Sequence, residues 1–124
     1  MTTPLLGLRT VVYRVTDREK ARDWYAKAFG VTPYFDEPFY VGFNIGGYEL
    51  GLDPNAPEAS QGDGSSTTHW GVTQLDAAVA SLLELGATLH DPARDVGEKI
   101  RVAAIKDPFG NVLGLIENPG FRLP

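Results

Sequence analysis

The sequence predicts an α+β domain assembled from two β-α-β-β-β modules in tandem, and three observations carry this. The order strand, helix, three strands can be read twice along the 124 residues. Thr10 stands seven residues before Asp17, and His69 stands seven before Asp76, each near the head of a predicted first strand. The closing strands also match, with Leu50-Gly51-Leu52-Asp53-Pro54-Asn55 set against Leu113-Gly114-Leu115-Ile116-Glu117-Asn118, which makes Gly51 the counterpart of Gly114. Two copies are too few for a solenoid.

Each element has a local cause. Residues 8–15 alternate, with Thr10, Val12 and Arg14 on one side and Val11, Tyr13 and Val15 on the other, as a strand requires. Thr16-Asp17-Arg18-Glu19 reads as a capping box, Ala21, Trp24, Tyr25 and Ala28 recur at helical spacing, and Gly30 ends the helix. Pro33 and Pro38 bracket a short edge strand around Tyr34-Phe35. Residues 39–45 and 48–52 flank Gly46-Gly47 as a hairpin, which pairs Ile45 with Tyr48, Phe43 with Leu50 and Val41 with Leu52 on a core face. The opposite face then sets Asn44 beside Glu49, Gly42 beside Gly51 and Tyr40 beside Asp53, a mixture suited to solvent or a ligand pocket.

Residues 53–68 are rich in Pro, Ala, Gly, Ser and Asp and form a surface linker. The pattern then restarts: a strand over 69–73, Asp76 as N-cap, an apolar stripe of Val79, Leu82 and Leu83, and Gly86 as the stop. Residues 87–89, 100–105 and 112–117 supply three more strands, the last two joined by the turn Asp107-Pro108-Phe109-Gly110-Asn111. Module one therefore covers about 7–53, the linker about 54–67 and module two about 68–121 of a single domain over 1–124.

Composition limits the function. With 43% hydrophobic and 22% charged residues the chain can bury a core, and its lack of cysteine excludes disulfides, a thiolate nucleophile and sulfur-ligated zinc. A net charge of -5 argues against nucleic acid as a partner. No apolar run approaches the roughly 18 residues of a membrane span, and the first residues lack the basic start and apolar core of a secretory signal, so a cytoplasmic protein is expected. Gly62-Asp63-Gly64-Ser65-Ser66 lacks the lysine and the helix of a phosphate loop. His90-Asp91 reads as part of a loop with no triad partner nearby, and Arg94, Glu98 and Lys99 read as a solvated, mobile segment.

Val15-Thr16-Asp17 leading into Trp24-Tyr25, Gly30 after the first helix, and Asp107-Pro108-Phe109-Gly110-Asn111 before the last strand together resemble the vicinal oxygen chelate superfamily. This is the glyoxalase, bleomycin-resistance and extradiol-dioxygenase group, and the resemblance covers about 8–121. It implies curved mixed sheets around a cleft, helices outside, and a tendency to form homodimers. In metal-using members four inward side chains, one from the first and one from the last strand of each module, hold a divalent ion. Carried over, those positions are Thr10, Gly51, His69 and Gly114, of which only His69 is a strong ligand. Glu49, two residues before Gly51 on the same face, would add only a second. The resemblance thus implies no resident metal and no other cofactor.

The candidate ligand-binding residues are Thr10, Val12, Arg14, Tyr40, Gly42, Asn44, Glu49, Gly51, His69 and Gly114. In this reading the glycines leave open volume, Tyr40 supplies a flat surface, and Asn44, Glu49, Arg14 and His69 supply polar contacts. Glu49 and Arg14 form either an internal ion pair or, with Glu49 free, a base or recognition group; His69 is either a wall residue or a functional one. The expected function is metal-free binding of a small, largely apolar or aromatic molecule, as in sequestration or resistance proteins, with no catalytic residue assigned. The alternative is an enzyme of the same superfamily using His69 and Glu49, with or without a weakly held divalent metal. The expected partners are that small molecule, favoured if cationic by the acidic surface, and a second copy of the chain.

Overall fold

The computed structural model describes residues 2–57 and 66–123. Module one comprises β1 (Thr10–Arg14), α1 (Arg18–Phe29), β2 (Phe35–Glu37), β3 (Tyr40–Ile45) and β4 (Tyr48–Asp53). Module two comprises β5 (His69–Gly71), α2 (Leu75–Glu84), β6 (Thr88–Gly97), β7 (Ile100–Lys106) and β8 (Val112–Glu117). Each module is a four-stranded mixed sheet, ordered β1-β4-β3-β2 and β5-β8-β7-β6, so the last strand returns beside the first. That closing pair is parallel, and the other neighbours are antiparallel. The α+β fold of two tandem βαβββ modules is thus the one the repeat predicts. Part of the linker, residues 58–65, including Gly62 to Ser65 of the rejected phosphate loop, lies outside the described residues.

The predicted hairpin register holds, with Val41 opposite Leu52, Phe43 opposite Leu50 and Ile45 opposite Tyr48. Gly46 and Gly47 both take positive φ, 60° and 94°, as a two-residue turn with the twist of its strands demands. Val41, Phe43, Leu50 and Leu52 are buried, joined by Leu75, Leu82, Ile105, Leu113 and Leu115 from module two in one cluster. Each such side chain contributes about 1.5–3 kcal/mol on full burial.

Several boundaries differ from expectation. In α1 the N-cap is Asp17, the capping residue of the repeat count, whose carboxylate accepts from Lys20 N at 3.1 Å, so the capping box does not begin at Thr16. Gly30 closes the helix in the left-handed conformation, donating to Ala26 O at 2.9 Å. In α2 the N-cap is Gln74, not Asp76. Asp76 lies in the first turn, where it favours the helix dipole and takes a two-pronged contact from Arg101 at 3.0 and 3.2 Å. The strand expected at 87–89 extends over ten residues, Thr88–Gly97, so His90, Asp91 and Arg94 belong to an edge strand and not to a loop. Its weak periodicity has a cause: the pairing with β7 is interrupted between Leu89 and Asp91, Asp91 and Arg94, and Asp95 and Gly97. Glu98 and Lys99 form the ensuing turn with φ of 55° and 66°, a left-handed conformation that side chains rarely adopt.

The modules are joined by side chains rather than by a shared strand. Tyr25 of α1 donates its hydroxyl to Asp107 Oδ2 in the β7–β8 turn. Asn111 Nδ2 reaches Arg14 O at 2.9 Å, Trp24 Nε1 reaches Leu85 O at 2.6 Å, and Trp70 Nε1 donates to the Tyr13 hydroxyl at 3.0 Å. Burial, with the Asp107 carboxyl beside it, pushes the Tyr25 hydroxyl far up, so it stays protonated and donates. Burial likewise pushes Tyr13 up to about 12. Asp107 is the centre of this seam: its other oxygen accepts from Phe109 N at 2.9 Å and Asn111 N at 2.8 Å.

Asp107→Ala strips acceptors from four buried or half-buried donors at once, whereas Tyr25→Phe removes one hydroxyl and leaves the carboxyl with its remaining partners. Urea denaturation should show Tyr25→Phe costing about 1–2 kcal/mol and Asp107→Ala at least about 3 kcal/mol. Equal losses would contradict the central place of Asp107.

Candidate functional site

Alternation along β1, β3 and β4 places Thr10, Gly42, Asn44, Glu49 and Gly51 on the face opposite the core, and strand pairing sets Thr10 beside Glu49 and Val12 beside Gly51. Glu49 is the hub of this face. Its Oε1 accepts from the Thr10 hydroxyl at 2.6 Å and the Tyr40 hydroxyl at 2.6 Å, and its Oε2 accepts from the Tyr34 hydroxyl. Partial desolvation raises its pKa, but the three donors together outweigh this and hold the carboxyl below the usual glutamate range. The tyrosines respond in the opposite sense: desolvation and then the Glu49 hydrogen bond push Tyr40 up to about 12, and the same carboxylate raises Tyr34. All three hydroxyls therefore remain donors at neutral pH.

The glycines of this face accommodate the tyrosines. A Cβ on Gly51 would stand 1.8 Å from the Tyr40 hydroxyl oxygen, and one on Gly42 would stand 3.2 Å from the Tyr34 ring and 3.0 Å from Glu49 Oε2. The expectation that these glycines leave open volume is therefore corrected: Tyr40 and Tyr34 lie over them. Tyr34 is the residue that sequence reading passed over. Its only signal was its place in the predicted edge strand, whose observed pairing sets Phe35 opposite Gly42 and Tyr34 N on Gly42 O at 3.0 Å. That strand is fastened to α1 by Asp36, which takes Arg18 on one oxygen and Arg22 on the other, the latter at 3.2 Å.

The remaining predicted residues have other places. Asn44 Oδ1 accepts from Gly47 N at 2.9 Å and so braces the hairpin turn. Arg14 is paired across the strands with Asp53, two rungs of the same face away from the Thr10–Glu49 rung, and of the two readings of Glu49 the ion pair with Arg14 is not found: the groups holding Glu49 are the hydroxyls. His69 is exposed on β5 opposite Gly114. A Cβ on Gly114 would meet the His69 ring at 2.7 Å and the Thr68 carbonyl oxygen at 2.8 Å, so this glycine is also covered, by imidazole.

These registers revise the internal alignment. Thr10 pairs with Glu49 while His69 pairs with Gly114. If Thr10 and His69 are equivalent, the counterpart of Gly114 is Glu49, two residues before the Gly51 that the closing sequences suggested. The four positions that hold a divalent ion in metal-using relatives then carry a hydroxyl, a carboxylate engaged by three donors, an imidazole and no side chain. That donor set does not fit a resident metal, and no group of three or more His, Cys, Asp or Glu among the described residues could hold one.

Two measurements follow from the covered glycines. Gly114→Ala meets a backbone carbonyl that cannot turn aside and should cost about 3 kcal/mol, whereas Gly51→Ala meets the far end of one side chain and should cost about 1 kcal/mol. In Gly51→Ala the displaced Tyr40 phenol should titrate below the value of about 12 it has in the native protein, read by ultraviolet difference titration against Tyr40→Phe. Glu49 supplies a pH signature as well: because its folded pKa is lowered, its stabilisation is present above the unfolded pKa and lost as pH falls through the folded one. Glu49→Gln should lack that part of the acid loss in stability, measured by urea melts across the acid range.

Comparison with known proteins agrees with the fold. Residues 7–115 match the Glyoxalase/Bleomycin resistance protein/Dioxygenase superfamily. A glyoxalase-related enzyme from Fulvimarina pelagi superimposes with a TM-score of 0.76 at 19% identity, over 97% of this chain and 94% of that one. A superfamily member from Sphaerobacter thermophilus DSM 20745 gives 0.73 at 24% identity, over 92% and 98%. A glyoxalase/bleomycin resistance protein from Albidiferax ferrireducens T118 gives 0.68 at 20%, over 90% and 98%. No curated protein matches the sequence. The chain, with its two βαβββ modules and its match across 7–115, belongs to the glyoxalase/bleomycin resistance protein/dioxygenase superfamily.

Proposed function

We propose that this protein binds a small, largely apolar or aromatic molecule on the non-core face of its sheets, without a bound metal, in the manner of sequestration or resistance proteins. The carrying observation is the Glu49 carboxylate held by Thr10, Tyr34 and Tyr40. Two phenols packed against glycines supply aromatic surface, and one ionised group beside them supplies orientation, the mixture that small-molecule sites use. Thr10, Glu49, Tyr34 and Tyr40 make the direct surface in this reading; Gly42 and Gly51 admit the rings, and Val12, Arg14, His69 and Gly114 extend the face.

The enzyme alternative has one observation in its favour, the exposed imidazole of His69. Glu49 argues against an acid–base pair with it, because a carboxylate stabilised by three donors has a depressed proton affinity and is a weak general base. We further propose that the protein acts as a cytoplasmic homodimer. Among the described residues Leu5, Leu6, Leu8, Phe121 and Leu123 are all more than half exposed in the single chain, and a second copy would cover apolar area of this kind. No described helix is long and apolar enough to cross a membrane.

Metal analysis of protein purified without chelator or nickel affinity steps should find far less than one divalent ion per chain, and ligand titration should find saturable binding of aromatic molecules that Tyr40→Ala weakens about tenfold. One tightly held ion per chain, lost in His69→Ala together with a glyoxalase-like or dioxygenase activity, would replace this reading with the enzyme. Light scattering at micromolar concentration should give twice the chain mass.

A further inference from the structure

The Glu49 face has an unbalanced charge and an unused acceptor. A carboxylate offers about four lone-pair positions, two on each oxygen. Among the described residues Oε1 accepts from two donors, Thr10 and Tyr40, and Oε2 from one, Tyr34, which leaves one acceptor position on Oε2 that none of them fills. Among the described residues these donors are neutral hydroxyls and none of the groups that set the charge state of Glu49 is a cation, so they orient its negative charge without neutralising it.

Aromatic rings surround that charge on the same sheet edge. Tyr34 is 64% exposed although its hydroxyl is bound, and Phe39 is 60% exposed. Tyr34 reaches the hub directly, and Phe35 links Phe39 to it, with ring centroids 5.8 Å from Phe39 and 6.2 Å from Tyr40 in edge-to-face contacts. Ring faces attract cations through their quadrupole, and the attraction strengthens where the cation is partly withdrawn from water. A neutral ligand would leave the carboxylate unpaired under an apolar body, and an anionic one would be repelled by it.

We propose that the Glu49 face selects an organic monocation, an ammonium group bearing at least one N–H on a flat apolar body. The N–H takes the open position on Oε2, and the body lies against the Tyr34, Phe35 and Phe39 edge. This rests on the reading of that face as a ligand-binding surface and names the class of ligand it holds. Selectivity comes from a single charge, so it is electrostatic and weakens with salt. Because three donors keep Glu49 ionised, the selectivity also persists to lower pH than an ordinary glutamate would allow.

The test titrates the full-length chain with four probes that share one ring system: 2-naphthylmethylammonium, its N,N,N-trimethyl analogue, 2-naphthylmethanol and 2-naphthylacetate, each followed by its own fluorescence. The ammonium should bind about tenfold more tightly than the alcohol in low salt, the trimethyl analogue should fall between them for want of an N–H, and the acetate should bind weakest. The gap should narrow at high salt. Glu49→Gln should bring ammonium and alcohol to within about twofold of each other, chiefly because the ammonium loses affinity. Should Glu49→Gln not fold, Tyr34→Phe serves instead: it bares Oε2 and keeps the ring, so it should increase the preference for the ammonium. Equal binding of ammonium and alcohol by the native protein, or a Tyr34→Phe protein without preference, overturns the proposal and leaves the broader reading of an apolar ligand site standing. No saturable binding of any of the four probes overturns both.

Discussion

In each module the last strand comes back to lie parallel beside the first, and this one pairing sets almost everything that faces away from the core. Parallel neighbours cannot be joined by a tight turn, so the chain must travel through a helix and two further strands before closing. The helix supplies the covering layer, and the closing strand brings residues some forty positions apart onto one rung. Thr10 meets Glu49 in this way, and His69 meets Gly114. Because side chains alternate, the same pairing that buries Leu50 and Leu52 must present Glu49 and Gly51 on the other face. The polar hub and the apolar core are two sides of one register.

The two modules use that frame differently. In module one the rung carries a carboxylate, and the neighbouring glycines make room for phenols that reach across to it. In module two the corresponding rung has no side chain on β8, and the imidazole of His69 lies over the vacant Cβ position. Internal symmetry is thus a property of the backbone and the core, where Leu50 and Leu115 occupy equivalent buried positions, and it stops at the opposite faces. A metal site in this frame would need donors from both modules, whereas a hub built from hydroxyls needs only one.

Local patterns were legible in the sequence, and long-range choices were not. Hairpin pairing followed from Gly46-Gly47 and the alternation around it, because turn type and period-two burial are local constraints. The motif residues Trp24-Tyr25, read as part of a helical stripe, and Asp107 to Asn111, read as a turn, prove to touch each other: Tyr25 donates to Asp107 and thereby joins the modules. The helix start at Gln74 was missed because Gln makes no side-chain cap there, and Asp76, the better capping residue by type, is engaged by Arg101 instead. The length of β6 was missed because its bulges break the period by which a strand is recognised. The internal alignment slipped by two because the Leu-Gly-Leu repeat shares the period of the strand and so fits equally well one rung away. No local pattern could separate those registers; only the pairing of Thr10 with Glu49 does.

What a glycine on a strand face means also depends on contacts that sequence does not display. From sequence, Gly42, Gly51 and Gly114 read as space. In the folded chain each is the ground on which a ring lies, Tyr34 on Gly42, Tyr40 on Gly51 and His69 on Gly114. Strand glycines weaken a sheet and are kept where another group must come close to the backbone. Here that group is a side chain of the protein itself, and the gain is electrostatic: with the phenols close against the strands, their hydroxyls end at the Glu49 carboxylate. Three neutral donors can stabilise a negative charge without cancelling it, which an arginine at the same place would not do. The glycines thereby serve to keep one ionised group uncancelled beneath an aromatic surface, and that combination, rather than an empty cavity, is what the module-one face presents.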